Sequence, residues 1–195
     1  MQNTTDKGKP NSSPVLPTTF NLKDGRECLL RPMVEDDAKE LCEFLPRTHE
    51  EADFVNYMPG EFNKTVKEER EFIRNHNGKP CSISMVAEMD GRIVGIAGGA
   101  SLEFRRFVHH AECGLVILKA FWGQGIGRKM MECLIDWSRA AGHRKLYLKV
   151  FDHNERAIRL YDSLGFVEEA RLKGDVLRGD GTYGDTIIMA RFFVG

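Results

Sequence analysis

Hydrophobic and polar positions along the chain switch between two periods. Apolar side chains alternate in "TFNL" and "ECLLRP", on either side of "KDGR", whose Asp24-Gly25 is a hairpin signal, so a strand pair opens the ordered chain near Phe20. After Pro32 the spacing becomes helical: Val34, Ala38, Leu41, Cys42 and Leu45 share a face, and Glu35, Asp36 and Asp37 lie where a helix dipole favours carboxylates. "THEE" from Thr48 and "TVKE" from Thr65 match the capping box and predict further helix starts, the second opening "VKEEREFIRNH". From Ser82 the period returns to two. "SISMVAEM" and "RIVGIAGGASL" flank Asp90-Gly91, and "FVHHAECGLVIL" follows another turn, which predicts three antiparallel strands in meander order.

The second half alternates element types. A helix is predicted from the glycine-rich "GQGIGR" to about Ala141, with Met130, Met131, Leu134, Ile135 and Ser138 on its inner stripe and Gly142 as its stop. "KLYLKVF" reads as a strand. "DHNERAIRLYDSLGF" reads as a short helix with Asp152 or Asn154 as N-cap, Ala157, Ile158, Tyr161 and Leu164 on one face, and Gly165 at its end. A hairpin of "FVEEARL" and "DTIIMARFF" closes a mixed α/β chain without internal repeats.

Composition sets the bounds. A chain of 195 residues, 42% hydrophobic and 29% charged, supports one well-buried core, so a single domain is expected over 19–195. Residues 1–18, rich in Asn, Thr, Ser and Pro, read as a flexible tail. With 28 Lys and Arg against 29 Asp and Glu, the net charge of -1 provides no global field for nucleic acid or an acidic membrane. Cys28, Cys42, Cys81, Cys113 and Cys133 form no C-x-x-C pair and read as reduced thiols rather than disulfides or metal ligands. No apolar stretch is long enough to span a bilayer and no signal-peptide pattern opens the chain, so a cytoplasmic protein is expected.

The chemistry concentrates in Gly123-Gln124-Gly125-Ile126-Gly127-Arg128. Glycines let a backbone approach a phosphate closely, and the following helix adds the positive end of its dipole. A P-loop would continue with Lys and Ser or Thr after Gly127, where Arg128, Lys129 and Met130 stand. A dinucleotide fingerprint would need glycine at Arg128 and a parallel unit before it. A bare strand-to-helix turn remains the other reading of the loop taken alone.

The loop and a second segment together resemble the GCN5-related N-acetyltransferases (GNAT family). Gly125-Ile126-Gly127 matches the last three positions of that family's Q/R-x-x-G-x-G/A loop, although Trp122 stands at its first position. "NERAIRLYDSLGF" is similar to the family's N-x-x-A-x-x-L-Y-x-x-x-G-F at Asn154, Ala157, Leu160, Tyr161, Gly165 and Phe166. "LLRPMVEDDAKEL" and "GTYGDTIIMA" resemble its opening and closing segments, so residues 25 to 193 are covered. The resemblance implies a mostly antiparallel central sheet flanked by helices, with strands splayed at an acetyl-CoA site. It also implies acetyl transfer from acetyl-CoA to a primary amine, on a small molecule or a protein N-terminus, by direct transfer without a metal. A non-catalytic acyl-CoA-binding or regulatory module of the same fold is the alternative, and a homodimer is compatible with either.

Roles follow from the resemblance. The backbone of Leu115, Val116 and Ile117 would pair with the pantetheine arm, Gly123 to Arg128 would hold the pyrophosphate, and Asn154 would both cap its helix and contact CoA. Arg128, Lys129, Arg156 and Arg159 would offer charge to the remaining phosphates. An alkylamine with a pKa of about 10.4 is neutral about once in 2,500 molecules at pH 7, so a base or a water relay to one is useful. Glu112 is the candidate, with His110 on the same strand face as a second one; an ordinary strand carboxylate is the competing reading. A relative's glutamate on the next strand aligns with Lys149, which cannot act as that base. Tyr161, a phenol with an ordinary pKa of about 10, is the candidate acid toward the departing thiolate, or else a packed core tyrosine. Glu35, Asp36, Glu50, Glu51 and Asp53 would favour a cationic acceptor, although helix caps and solubility account for most acidic residues there; the resemblance implies that this segment and the closing hairpin, with "RGDGTYGD", line the acceptor cleft.

Overall fold

A computed structural model describes residues 16–56, 58, 60–79 and 81–193. The expected tail falls outside the described residues as far as residue 15, and Thr18 already belongs to the first strand. Among the described residues eight strands form one sheet: β1 (Thr18–Asn21), β2 (Glu27–Pro32), β3 (Ser82–Met89), β4 (Arg92–Ser101), β5 (His110–Ile117), β6 (Lys145–Phe151), β7 (Val167–Leu177) and β8 (Tyr183–Phe192). Four helices flank it: α1 (Ala38–Glu51), α2 (Val66–Asn77), α3 (Ile126–Ala140) and α4 (Glu155–Ser163). The spatial order is β1-β2-β3-β4-β5-β6-β8-β7, and every neighbouring pair is antiparallel except β5 with β6. This is the mixed, mostly antiparallel sheet flanked by helices that was expected.

That one parallel pair positions the site. Only His110–Glu112 register with Lys145–Tyr147, although β5 runs on to Ile117 and β6 to Phe151. Beyond Glu112 and Tyr147 the two strands diverge, while β5 stays paired with β4 as far as Gly95 opposite Ile117. The expected splay is therefore present, and it opens toward the end of the sheet where α3 and α4 begin.

The two faces of the sheet bury separate clusters. Beneath it, α3 inserts Met130, Met131 and Leu134, all fully buried, against Leu146, Leu148 and Met189. On the other face α1 and α2 bury Leu41, Phe44 and Ile73 against Val86 and Ile93. The periodicity marked the α3 stripe and Leu41 of α1, but not Phe44 or Ile73.

One predicted boundary is wrong. "THEE" does not start a helix, because α1 runs unbroken from Ala38 to Glu51 through Pro46. The buried Thr48 donates its hydroxyl back to the Leu45 carbonyl (2.7 Å) instead of capping forward, and Glu51 accepts the Lys119 backbone N–H (2.8 Å). A serine-type side chain in the middle of a helix commonly bonds backward in this way. "TVKE" behaves as expected: Thr65 caps α2 through Glu68, and Glu68 returns a bond to the Thr65 N–H (2.8 Å).

Candidate active site

The glycine turn joins β5 to α3. Gly123 (φ +82°) and Gly125 (φ +101°) occupy the left-handed region that glycine enters without strain. Gly125 caps α3 without a side-chain acceptor, so the first-turn amides of Ile126, Gly127 and Arg128 point out of the helix with the positive dipole end behind them. A Cβ on Gly127 would stand 3.3 Å from Ile117 and 3.4 Å from Leu160, so glycine lets α3, β5 and α4 close around the turn. That arrangement suits an anion.

Trp122 takes a role the sequence did not indicate. Its indole N–H donates to the Ile117 carbonyl (2.7 Å), tying the turn to the end of β5. The Arg156 guanidinium lies over the same ring, 5.3 Å from its centre, and one of its nitrogens would be 3.1 Å from a Cβ on Gly123. Phe54 packs between Trp122 and His153, at 6.2 and 5.2 Å between centroids. Two of the other expected phosphate cations are otherwise engaged: Arg128 donates to Ser163 Oγ (2.6 Å) and Arg159 to Glu155 (3.0 Å).

Two cavities meet at the splay. One, of about 600 Å³, is lined by Ile117, Trp122, Gly125, Gly127, Arg128 and Arg156. The other, of about 1230 Å³, extends over β4 and β5 between Phe72, Phe104, Glu112, Gly114, Lys149 and Phe151. Leu115, Val116, Asn154, Tyr161, Phe54 and Val55 line both. Asn154 caps α4 by accepting the Ala157 N–H (3.2 Å), which chooses between the two cap candidates and leaves its amide nitrogen available. Tyr161 is 6% exposed, and burial raises its phenol above the ordinary value, so it is protonated at neutral pH.

The carboxylates separate on inspection. Glu112 lines the larger cavity, accepts a hydrogen bond from the Tyr147 hydroxyl (2.9 Å), and lies 3.9 Å from the Lys149 ammonium. Tyr147 is pushed up to about 12 by burial, with the bonded carboxylate adding to the effect. His110 lines neither cavity. It lies against His109, with ring centroids 4.1 Å apart, and is shifted downward by burial and by Lys145 and His109.

The acidic residues near the first helices do not form an acceptor wall. Glu35 pairs with Arg74 (2.6 Å) and Asp36 with Arg70 (3.7 Å), away from both cavities. Glu50 lines neither, and Glu51 lines the smaller one. Asp53 accepts the Gly179 N–H (3.1 Å) at the β7–β8 tip, beside Arg178, which donates to Asp152 (2.8 Å). The closing hairpin thus fastens the segment after α1; of its residues only Asp175 and Thr186 line the larger cavity.

Among the described residues no group of three or more His, Cys, Asp or Glu side chains is gathered for a metal, and no helix is long and apolar enough to cross a membrane.

Comparisons with known proteins agree with this geometry. A family model described as "Acetyltransferase (GNAT) family" matches residues 41–166. The chain is 33% identical over 89 residues to the L-methionine sulfoximine/L-methionine sulfone acetyltransferase of Salmonella typhimurium, a match covering 45% of this chain and 52% of that one. The chain thus spans about half the length of that relative. An acetyltransferase of the GNAT family from Streptococcus pneumoniae superposes with a TM-score of 0.80 at 29% identity, over 85% of this chain and 99% of that one. A Salmonella typhimurium protein solved with its cofactor acetyl-CoA shares the fold, with a TM-score of 0.74 at 20% identity, over 90% of this chain and 96% of that one.

Proposed function

The chain belongs to the GNAT family of acetyltransferases, and from that premise we propose that it moves an acetyl group from acetyl-CoA to a primary amine, by direct transfer and without a metal, within one domain over 19–195. The observation that carries this reading is the pair of cavities meeting at Leu115, Val116, Asn154 and Tyr161. The smaller cavity, against the free amides of Ile126 to Arg128, suits the pyrophosphate, with Gly123 and Gln124 forming the turn and Arg156 over Trp122 meeting an outer phosphate. The backbone of Leu115 to Ile117 at the splay suits the amide-bearing arm, which brings the thioester to the junction. That a neighbour of the same fold is solved with acetyl-CoA supports the choice of donor.

At the junction Glu112 takes a proton from the acceptor ammonium, directly or through one water, and the amine lone pair forms the new C–N bond. As the C–S bond breaks, Tyr161 supplies a proton to the thiolate, and the proton the nitrogen sheds on becoming an amide returns through solvent to Tyr161; burial keeps the tyrosine in the acid form beforehand. The acceptor is a small-molecule or N-terminal amine that enters the larger cavity.

The test is thermal stabilisation by acetyl-CoA, CoA, NAD and ATP, followed by thiol release over an amine panel that includes L-methionine sulfone, spermidine and an alanyl peptide. Stabilisation by both CoA species and turnover of at least one amine is expected. Stabilisation by NAD or ATP alone would overturn the reading, and CoA binding without any turnover would leave a binding module.

A further inference from the structure

Glu112 and Tyr147 are register partners, and they form the last pair before β5 and β6 part. Register partners in a parallel ladder point to the same face, so the Tyr147 phenol arrives beside the Glu112 carboxylate at the apex of the splay and donates to Oε2 at 2.9 Å. The other carboxylate oxygen, Oε1, faces only the distant Lys149 ammonium at 3.9 Å, whose side chain is 56% exposed. No other charged or titratable side chain bonds Glu112 among the described residues. On the neighbouring strand β4 its register partner is Ala100, and His110 on its own strand lies outside the cavity.

We infer that Tyr147 is a positioning residue for this reaction: its hydroxyl holds Oε2 of Glu112 and turns Oε1 into the acceptor cavity to receive the ammonium proton. This rests on the reading of Glu112 as the base. The phenol is suited to the task because it stays a donor throughout. Burial and the adjacent carboxylate hold its own ionisation up at about 12, so it neither competes for the substrate proton nor changes state while Glu112 does. Its position at the last paired residue also explains why one tyrosine suffices. The ladder fixes its backbone on one side, and the splay leaves open the side from which an amine approaches.

Tyr147→Phe removes the donor and keeps the ring. A hydrogen bond to a charged group is commonly worth enough to move a titration by about one pH unit, so removal should raise the pH at which Glu112 titrates by about half to one unit. Carbon-13 labelling of glutamate carboxyls, with Glu112→Gln identifying the resonance, reads that shift in the whole protein without any acceptor. With an amine from the panel, the acidic limb of kcat/KM should move up by the same amount, so activity at a pH on that limb should fall about three- to tenfold, and the KM for acetyl-CoA should stay within twofold. Incorporating 3,5-difluorotyrosine at Tyr147, a stronger donor, should move the carboxyl titration the opposite way, which keeps the test valid if the Phe variant folds poorly. A resonance and limb unmoved in both variants, with Glu112→Gln slow, overturns the positioning role alone. Wild-type kcat/KM and an intact acidic limb in Glu112→Gln overturn the base reading, and Tyr147's role with it.

Discussion

Gly125 holds φ +101° at the head of α3, where an L side chain carries strain. Gly125→Ala is therefore expected to cost about 1–2 kcal/mol in denaturant unfolding and to weaken acetyl-CoA binding. Arg31 sets a larger stake: it grips Asp37 through two bonds (2.8 and 2.9 Å) and Glu88 through one (2.7 Å), and Asp37 is 7% exposed. Arg31→Met strands that carboxylate and should lower stability by about 3 kcal/mol, while Arg31→Lys, lacking the fork, should recover only part of it. Tyr161→Phe should lower kcat much more than it raises the KM for acetyl-CoA in steady-state kinetics; equal losses would mark a packing residue. Trp122 shows where single residues stop being legible. Its position opposite the family's Gln or Arg was readable, but its bond to the Ile117 carbonyl depends on how β5 ends, and its stack with Arg156 joins positions 34 apart in sequence. Trp122→Phe keeps the ring and loses the donor, so acetyl-CoA affinity measured by calorimetry should fall several-fold without a change of fold.

At the scale of elements, periodicity was a sound guide wherever one face of a helix or strand is buried. It placed the stripe of α3, the Thr65 cap and the Asn154 helix, because these signals are local. It failed at Thr48, since only the tertiary burial of that side chain decides whether the hydroxyl caps forward or bonds back. The role assigned to the acidic residues failed for a similar reason: Glu35, Asp36 and Asp53 meet partners from α2 and the β7–β8 tip, which lie far off in sequence. The tip itself carries a pH dependence. Burial opposes the charge on Asp152, yet the bonds from the Arg178 side chain, the Asp185 backbone and the His153 side chain outweigh it and hold the carboxyl at about 2. A carboxylate depressed in the folded state stabilises above its ordinary value near 4 and loses that contribution as pH falls toward about 2. Asp152→Asn should accordingly lower Tm at pH 7 and bring the variant level with wild type as the pH is lowered through that window, as read by calorimetry.

For the whole molecule, the sheet order was not legible beyond its meander, because β8 reaches β6 past β7 and only the assembled chain shows this. The divergence of β5 and β6 was foreseen from the resemblance alone; nothing in the alternation of "HAECGLVI" or "KLYLKVF" announces it. A saturating donor, at about a hundred times its Kd, should stabilise the fold by about 2.7 kcal/mol. The same divergence has a mechanical side. Five strands stand on one side of the gap and three on the other, and the ladder that stitches them is only three residue pairs long. Within the sheet only that short seam joins the two groups of strands, although α3 packs across both, and the sheet is expected to loosen first there. In the absence of ligand, amides along the open edge of β5 should exchange with solvent sooner than those facing β4, and an occupant of the gap, by bridging both groups, should slow exchange on each side at once. Holding its donor and bracing its own sheet would then be one event, and each release of product would return the seam to its loosest state.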